Sequence, residues 1–565
     1  YVEEMGFNAV EFLPVSQYPN EASWGYQCAA GLYAVDSRLG TPDDFRHLVD
    51  ALHQRSIAVF VDFVGAHFAK DSWGLVRYAG APQFEYEGAL GELPQWGTAR
   101  FDFSRPEVRA YLAGAAGHWV EHFHVDGLRL DAVAAMAYRN FGREEDGDAI
   151  LAGKGVRNEE GICFLRQLCA HIREKYQGVL MMAEESTNFK WVTSRPLEEG
   201  TERQQVQMED LGFHLKWNMG FSYDTLDFMR TEHSRRAHVE TFGCKKLAWY
   251  LVYAFNERWV LPFSHDNVQL KGLLEQTCAP SEVDREGQFA QLGVLLAYTV
   301  GMPGRPLLFQ GTEVGEEAWY FKSPIDWAAV QADPLKQRLQ RWVKRLLYLY
   351  RELPALHRDD DSKSSFTWLD RDSSNRCVFA WLRSAREASD VIVLVNFSTS
   401  AAGKCRVAAA PGTWRCIASM AMAEDSGCEA GERSVDVPAD GSLCADLPAC
   451  SAQFWLAPRA AAAARLVLEL RHAQAAPDAN VRVVGDCPEL GDWRPEAAVA
   501  LGWDAQAGVW RCEVEVPIST ARVEFKYVVL APDGGVAWEP FDGNRAASLV
   551  GREVVREASE FGRAR

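Results

Sequence analysis

Between residues 57 and 266, four apolar runs each close on polar or charged side chains, and this recurrence restricts the fold more than any other feature. The most informative run is Val125-Asp126-Gly127-Leu128-Arg129-Leu130-Asp131-Ala132. Side chains alternate across a strand, so Arg129 and Asp131 share one face at its C-terminal end. Comparable runs end near Asp62 and His67, at Glu184, and at His265 with Asp266. Polar groups at strand C-termini are where a parallel α/β barrel assembles its site. The pattern predicts a carbohydrate-active enzyme with two catalytic carboxylates and a supporting third.

Taken in order, the chain alternates strand and helix. Ala9 to Val15 reads as a strand stopped by Pro14, with Trp24-Gly25-Tyr26 in the loop beyond. Thr41-Pro42-Asp43-Asp44 opens a helix with a capping hydroxyl, proline in the first turn and acids at its positive end. Ser104-Arg105-Pro106-Glu107 reads as a capping box. Further strands are expected at Ile57 to Val64, Val125 to Asp131, Val179 to Glu184, Phe213 to Asn218, Trp259 to Asp266 and Pro306 to Gly311. That makes seven, and a TIM-type (β/α)8 barrel needs eight. The expectation is therefore a barrel lacking its first strand, in a truncated gene model with more sequence upstream of Tyr1. The catalytic region spans 1–357. Short β runs separated by Gly, Ser and Asp then predict an all-β domain over 358–458, an alanine-rich linker at 459–464, a second β-sandwich over 465–557 and a tail at 558–565, with the charged stretch after Gly551 expected to fray.

The chain carries 59 basic and 78 acidic residues, a net charge of -19, which argues against nucleic acid or an anionic membrane as partner. A neutral ligand suits it better. No run approaches the roughly 20 apolar residues of a membrane span. Thirteen cysteines without Cys-x-x-Cys spacing read as reduced thiols, which places the protein in cytoplasm or plastid stroma. A monomer without cofactor is expected.

Glycosidic cleavage needs an acid for the leaving oxygen and, with retention, a carboxylate to attack the anomeric carbon. Asp131 suits the nucleophile because Arg129 would keep it ionised. Glu184 suits the acid/base because it ends an apolar strand, where desolvation favours the protonated form. Asp266 would brace the cationic transition state, and His67 and His265 could donate to sugar hydroxyls. Each alone reads as an ordinary capping or ion-pairing residue. Four strand ends agreeing in order favour the catalytic reading.

The strings Val61-Asp62-Phe63-Val64-Gly65-Ala66-His67, Asp126-Gly127-Leu128-Arg129-Leu130-Asp131, Met182-Ala183-Glu184-Glu185-Ser186-Thr187 and Leu261-Pro262-Phe263-Ser264-His265-Asp266 resemble the four signature regions of glycoside hydrolase family 13. Within that family they are similar to branching enzymes of the bacterial glycogen type, over about residues 1 to 458. The resemblance implies Asp131 as nucleophile, Glu184 as acid/base and Asp266 as transition-state stabiliser, with Tyr26, Asp62, His67, Arg129 and His265 at the substrate. Glu185 is the rival acid, and strand alternation lets only one of the two face the site. Ala66 stands where many relatives have a calcium-binding Asn, so no metal is expected. Asn267 stands where the bacterial form usually has Glu. Residues 465–557 resemble carbohydrate-binding family 20, which implies Trp493 and Trp538 as a stacking platform and Lys526 and Asn544 as hydrogen-bonding groups. The implied partner is glycogen, amylose, amylopectin or a starch granule. The rival readings are an α-glucan hydrolase, amylase-like or trehalose-releasing, and a starch-binding scaffold without catalysis.

Overall fold

Seven parallel strands form one sheet in strict sequence order: β1 (Ala9–Phe12), β2 (Ala58–Phe63), β3 (Gly127–Leu130), β4 (Leu180–Ala183), β5 (Leu215–Trp217), β6 (Trp259–Phe263) and β7 (Arg305–Leu308). The computed structural model describes residues 1–565 apart from 20–22, 28–30, 144–145, 194–209, 233–241, 270, 278–282, 318–323, 372–375, 387, 422–432, 439–440, 459–462, 473–474, 476–478, 518–521, 532–534, 541–542, 549–553 and 563–565. Alternation sorts the strand residues into two layers. Val59, Val61 and Phe63 of β2 face outward and pack with Phe45, Val49, Leu112 and Trp119 of helices Pro42–His53 and Pro106–Phe123. Phe60, Met182, Trp217 and Val260 face inward and fill the barrel. Gly127 is required beside them, because a Cβ there would stand 2.4 Å from the Phe60 ring and 2.7 Å from the Leu180 carbonyl oxygen.

The sheet stays open between β1 and β7 among the described residues. Both edge strands are half-buried along their length, whereas β3 and β6 are buried throughout. The expected capping at Thr41 is present, with Asp44 answering reciprocally. The capping box expected at Ser104 is not. Ser104 Oγ instead donates to Asp102 Oδ1 at 2.6 Å, and the helix starts from Arg105 without a side-chain cap. Asp102 precedes the serine closely enough to capture its hydroxyl in a local turn, which competes with capping.

Helix Arg285–Gly301 joins the barrel to the next domain. Its Gln291 donates to the Phe397 carbonyl at 2.9 Å, and its Gly301 carbonyl accepts from Trp381 Nε1 and Arg383 Nη1, each at 2.9 Å. That domain is a six-stranded antiparallel sheet (366–371, 378–383, 391–396, 451–456, 412–420, 434–437) with a two-stranded companion, 403–408 and 442–447. The last domain is a sandwich with a core of Leu466, Leu468, Val483, Trp510, Phe525 and Tyr527. Its first strand already begins at Ala463, inside the stretch read as linker. Its final strand, Val554–Glu560, lies parallel to Ala463–Arg471, and Phe561 stacks on His472 at 4.0 Å. Residues 558–561 are therefore held by the sheet, not frayed. Among the described residues no helix is long and apolar enough to cross a membrane.

Candidate active site

Register builds the site. Asp62 of β2 lies beside Arg129 of β3, and Leu130 beside Ala183 of β4, so continuing one residue sets Asp131 next to Glu184 at adjoining strand ends. Backbone bonds hold both ends: Asp131 N–H donates to the Phe63 carbonyl at 3.1 Å and Glu184 N–H to the Leu130 carbonyl at 2.9 Å.

Arg129, 1 % exposed, is the centre of the cluster. Its Nη1 reaches Asp62 Oδ2 at 2.8 Å, Asp131 Oδ1 at 3.2 Å and Tyr26 Oη at 3.2 Å. Its Nη2 reaches Glu184 Oε2 at 3.2 Å. The guanidinium also lies over the Trp217 ring, 4.2 Å from its centroid. Tyr26 Oη donates to Asp62 Oδ2. Burial alone would raise the Asp131 carboxyl, but His67, Arg129 and His265 outweigh it and hold the group below the ordinary aspartate range. His67 Nε2 stands 3.6 Å from Asp131 Oδ2. Glu184 behaves oppositely. Its burial, reinforced by the charges of Asp131 and Asp266, outweighs Arg129 and lifts it to about 8. The backbone N–H of Ala132, in the left-handed region at φ 51°, donates to Glu184 Oε2 at 2.7 Å.

Glu185 points elsewhere. It is 1 % exposed and tied to Lys216 Nζ at 2.7 Å and to the Thr187 amide at 3.0 Å, with the Thr187 hydroxyl also donating to it. The rival acid is thus committed to Lys216 and Thr187. Lys216→Met should destabilise the protein by about 3–5 kcal/mol by leaving that carboxylate buried and unpaired, measured by chemical denaturation. Glu185→Gln keeps the side chain's shape but leaves the Lys216 ammonium buried without its anion, and should destabilise by a similar amount while the folded fraction keeps the turnover that Glu184→Gln loses.

The mouth is aromatic. His265 stacks on Tyr26, with ring centroids 4.9 Å apart, and contacts Trp24 at 5.7 Å. Trp96 lies 4.8 Å from the His67 ring. Asp266 is the most open of the three carboxyls, one third exposed, with Oδ1 accepting from Gln269 at 2.9 Å. Asn267 is engaged in a local cap, its Oδ1 accepting from the Ser264 amide at 2.9 Å. All eight barrel residues singled out in the sequence therefore gather in one cluster around Arg129. Sequence reasoning missed Glu11, Trp24, Trp96 and Trp217 as members of it. Glu11 carried a legible signal, as a lone acid in an apolar strand. Ala66, fully buried, offers no side-chain ligand, and among the described residues no group of three His, Cys, Asp or Glu could hold a metal ion.

In the last domain, Lys526 and Val528 alternate onto one face of strand Arg522–Leu530, and Val528 pairs with Trp538, which is 40 % exposed. Trp493 packs over Val484, Ala498 and Val528 on that same face. Asn544 Nδ2 donates to Glu524 Oε2 at 3.1 Å, two residues along the strand from Lys526. The core tryptophan of this sandwich is Trp510, 2 % exposed.

Residues 1–79 and 95–398 match the model of the α-amylase catalytic domain. The chain belongs to the α-amylase family. Residues 368–461 match the family's C-terminal all-β domain, and residues 465–557 match a starch-binding domain. Among curated relatives in this family, the 1,4-α-glucan branching enzyme GlgB of Methylobacillus flagellatus is 40 % identical over 402 residues, covering 70 % of this chain and 53 % of that protein. GlgB of Frankia casuarinae is 39 % identical over 472 residues, covering 81 % and 56 %. GlgB of Corynebacterium glutamicum is 38 % identical over 469 residues, covering 80 % and 62 %. The chain thus spans little more than half the length of these relatives. Among solved structures, the α-amylase of Geobacillus thermoleovorans in complex with acarbose aligns with a TM-score of 0.58 at 18 % identity, covering 82 % of this chain and 90 % of that one. The γ-CGTase of alkalophilic Bacillus clarkii aligns with a TM-score of 0.52 at 14 % identity, covering all of this chain and 91 % of that one. Both share the fold.

Proposed function

We propose that this chain carries the catalytic centre of a 1,4-α-glucan branching enzyme. The observation that carries the reading is one guanidinium, Arg129, holding Asp131 and Glu184 while their surroundings drive one carboxyl down and the other up to about 8. That is the division a retaining pair needs, one group ionised and one protonated at neutral pH. Neighbouring strands stand about 4.8 Å apart, close to the roughly 5–5.5 Å separation of retaining carboxyls. Asp131 attacks the anomeric carbon of an α-1,4-linked glucose while Glu184 protonates the departing 4-oxygen. The donor segment is then held as a glucosyl ester on Asp131. Glu184, now ionised, takes the proton of an acceptor's 6-hydroxyl, which displaces Asp131 and closes an α-1,6 bond. Asp266 stabilises the positive charge at the ring during both steps, and Tyr26, Asp62, His67, Arg129 and His265 position the sugar and the carboxyls.

Branching is preferred over hydrolysis because the three relatives named above are branching enzymes at 38–40 % identity. Incubation with amylose, counting new α-1,6 linkages against new reducing ends, tests it. Branches should outnumber reducing ends; reducing ends without branches make the chain a hydrolase, and no change in chain-length profile with starch retained makes it a scaffold. The last domain adsorbs the enzyme to α-glucan through Trp493, Lys526, Trp538 and Asn544. Trp493→Ala with Trp538→Ala should weaken granule adsorption by about tenfold or more while leaving turnover of soluble amylose nearly unchanged, measured by starch pull-down and branching assay. A monomer in a reducing compartment, cytoplasm or plastid stroma, fits the sequence.

A further inference from the structure

Glu11 sits on β1 in register with Phe60, on the face that lines the barrel. Its carboxyl is within hydrogen-bonding reach of Asp62. Asp62 uses Oδ2 to accept from both Tyr26 and Arg129, while its Oδ1 is buried and without a donor among the described residues if Glu11 is ionised. Two carboxylates can only accept, so this contact is a hydrogen bond only if one of them carries a proton. Asp62 accepts from Tyr26 and Arg129, whereas no hydrogen-bond donor to the Glu11 carboxyl is found among the described residues, so the proton belongs on Glu11.

We infer that Glu11 is a positioning residue of this site, a neutral carboxylic acid that donates to Asp62 Oδ1 and so fixes Asp62 as the acceptor for Tyr26 and Arg129. The surrounding charges agree. Glu11 shares the cluster with Asp62 from β2, Arg129 from β3, Asp131 and Glu184 just past the ends of β3 and β4, and the Tyr26 hydroxyl. With Glu11, Asp62, Asp131 and Glu184 all ionised, negative charge would outnumber Arg129 four to one around the buried guanidinium, an arrangement that desolvation disfavours. Protons on Glu11 and Glu184 leave Asp62 and Asp131 as the anions, each bonded to Arg129. Burial and the Asp62 charge push Glu11 well above the ordinary glutamate value. Glu11 touches no reacting atom; it acts through Asp62.

The kinetic arm of the test rests on the branching reading, and the spectroscopic arm does not. Glu11→Gln keeps a donor of the same shape, and should retain kcat within about threefold of the parent. Glu11→Leu fills the space without a donor, and should lower kcat by about tenfold to a hundredfold through misplaced Arg129, with KM little changed. Equal activity of the two variants, high or low, overturns the inference. Infrared difference spectroscopy at pH 7 should show, beside the band of protonated Glu184, a second protonated-carboxyl C=O band in the parent that Glu11→Gln removes and Glu184→Gln leaves in place. Asp62→Asn provides a second route that leaves residue 11 intact. Tyr26 and Arg129 hold the amide oxygen, so the amide nitrogen turns toward Glu11, donates to it and releases its proton, and the same band disappears. A band unchanged in both variants overturns the inference, whether or not the parent branches amylose.

Discussion

Asp131→Asn should lower branching by about 10⁴-fold or more while starch adsorption stays at the level of the parent protein. Asparagine keeps the size of the side chain and can still face Arg129, but it cannot form the glucosyl ester on which both half-reactions of the proposed mechanism depend. The environment explains why no neighbour substitutes for it. Asp62 is committed to Tyr26 and Arg129 deeper in the barrel, Glu185 is committed to Lys216, and Glu184 is held protonated. Initial rates on soluble amylose, beside a granule pull-down of the same preparation, check both halves. Activity within tenfold of the parent would remove Asp131 from the nucleophile's role.

Glu184→Gln should cost about 10²- to 10⁴-fold in rate, the range of a lost general acid. In the parent, kcat/KM should fall as pH rises through about 8, where Glu184 loses its proton, and fall again only in strong acid, where Asp131 gains one below the ordinary aspartate range. The variant should lose the alkaline limb. The same shift has a stability consequence with a definite sign. An unfolded glutamate ionises near pH 4.3, so between there and about 8 the folded chain binds the additional proton and its stability declines as pH rises. Glutamine has no proton to surrender. The melting temperature of Glu184→Gln should therefore drop less than that of the parent between about pH 5 and 8, read by thermal unfolding at a series of pH values. An equal drop in both would assign the pH dependence of folding to other groups.

The strand ends were legible because two simple rules converge on them. Period-two alternation put Arg129 and Asp131 on one face, and barrel logic put that face at the site. The choice of Glu184 over Glu185 was legible in form alone, since alternation admits one of two adjacent residues; its reason, Lys216 on the next strand, is a long-range contact that spacing does not reveal. Glu11 was legible only as a lone acid in an apolar strand, since it joins the cluster through register with Phe60 on the neighbouring strand, which spacing does not reveal. The capping box at Ser104 failed for a local reason, capture of the hydroxyl by Asp102, and the frayed tail failed for a distant one, pairing of Val554–Glu560 with a strand almost a hundred residues earlier. Local chemistry and periodicity read well from one chain. Partners that meet only through the fold do not.

Arg129 serves Asp62, Asp131, Glu184 and Tyr26 at once. Damage to any one of these groups therefore loosens the anchorage of the others, and double substitutions drawn from the five should lose far less than the product of their single losses. Such sub-multiplicative coupling means that no share of the rate can be credited to one of these side chains by itself. It also means that engineering of this centre has to replace the five as a set.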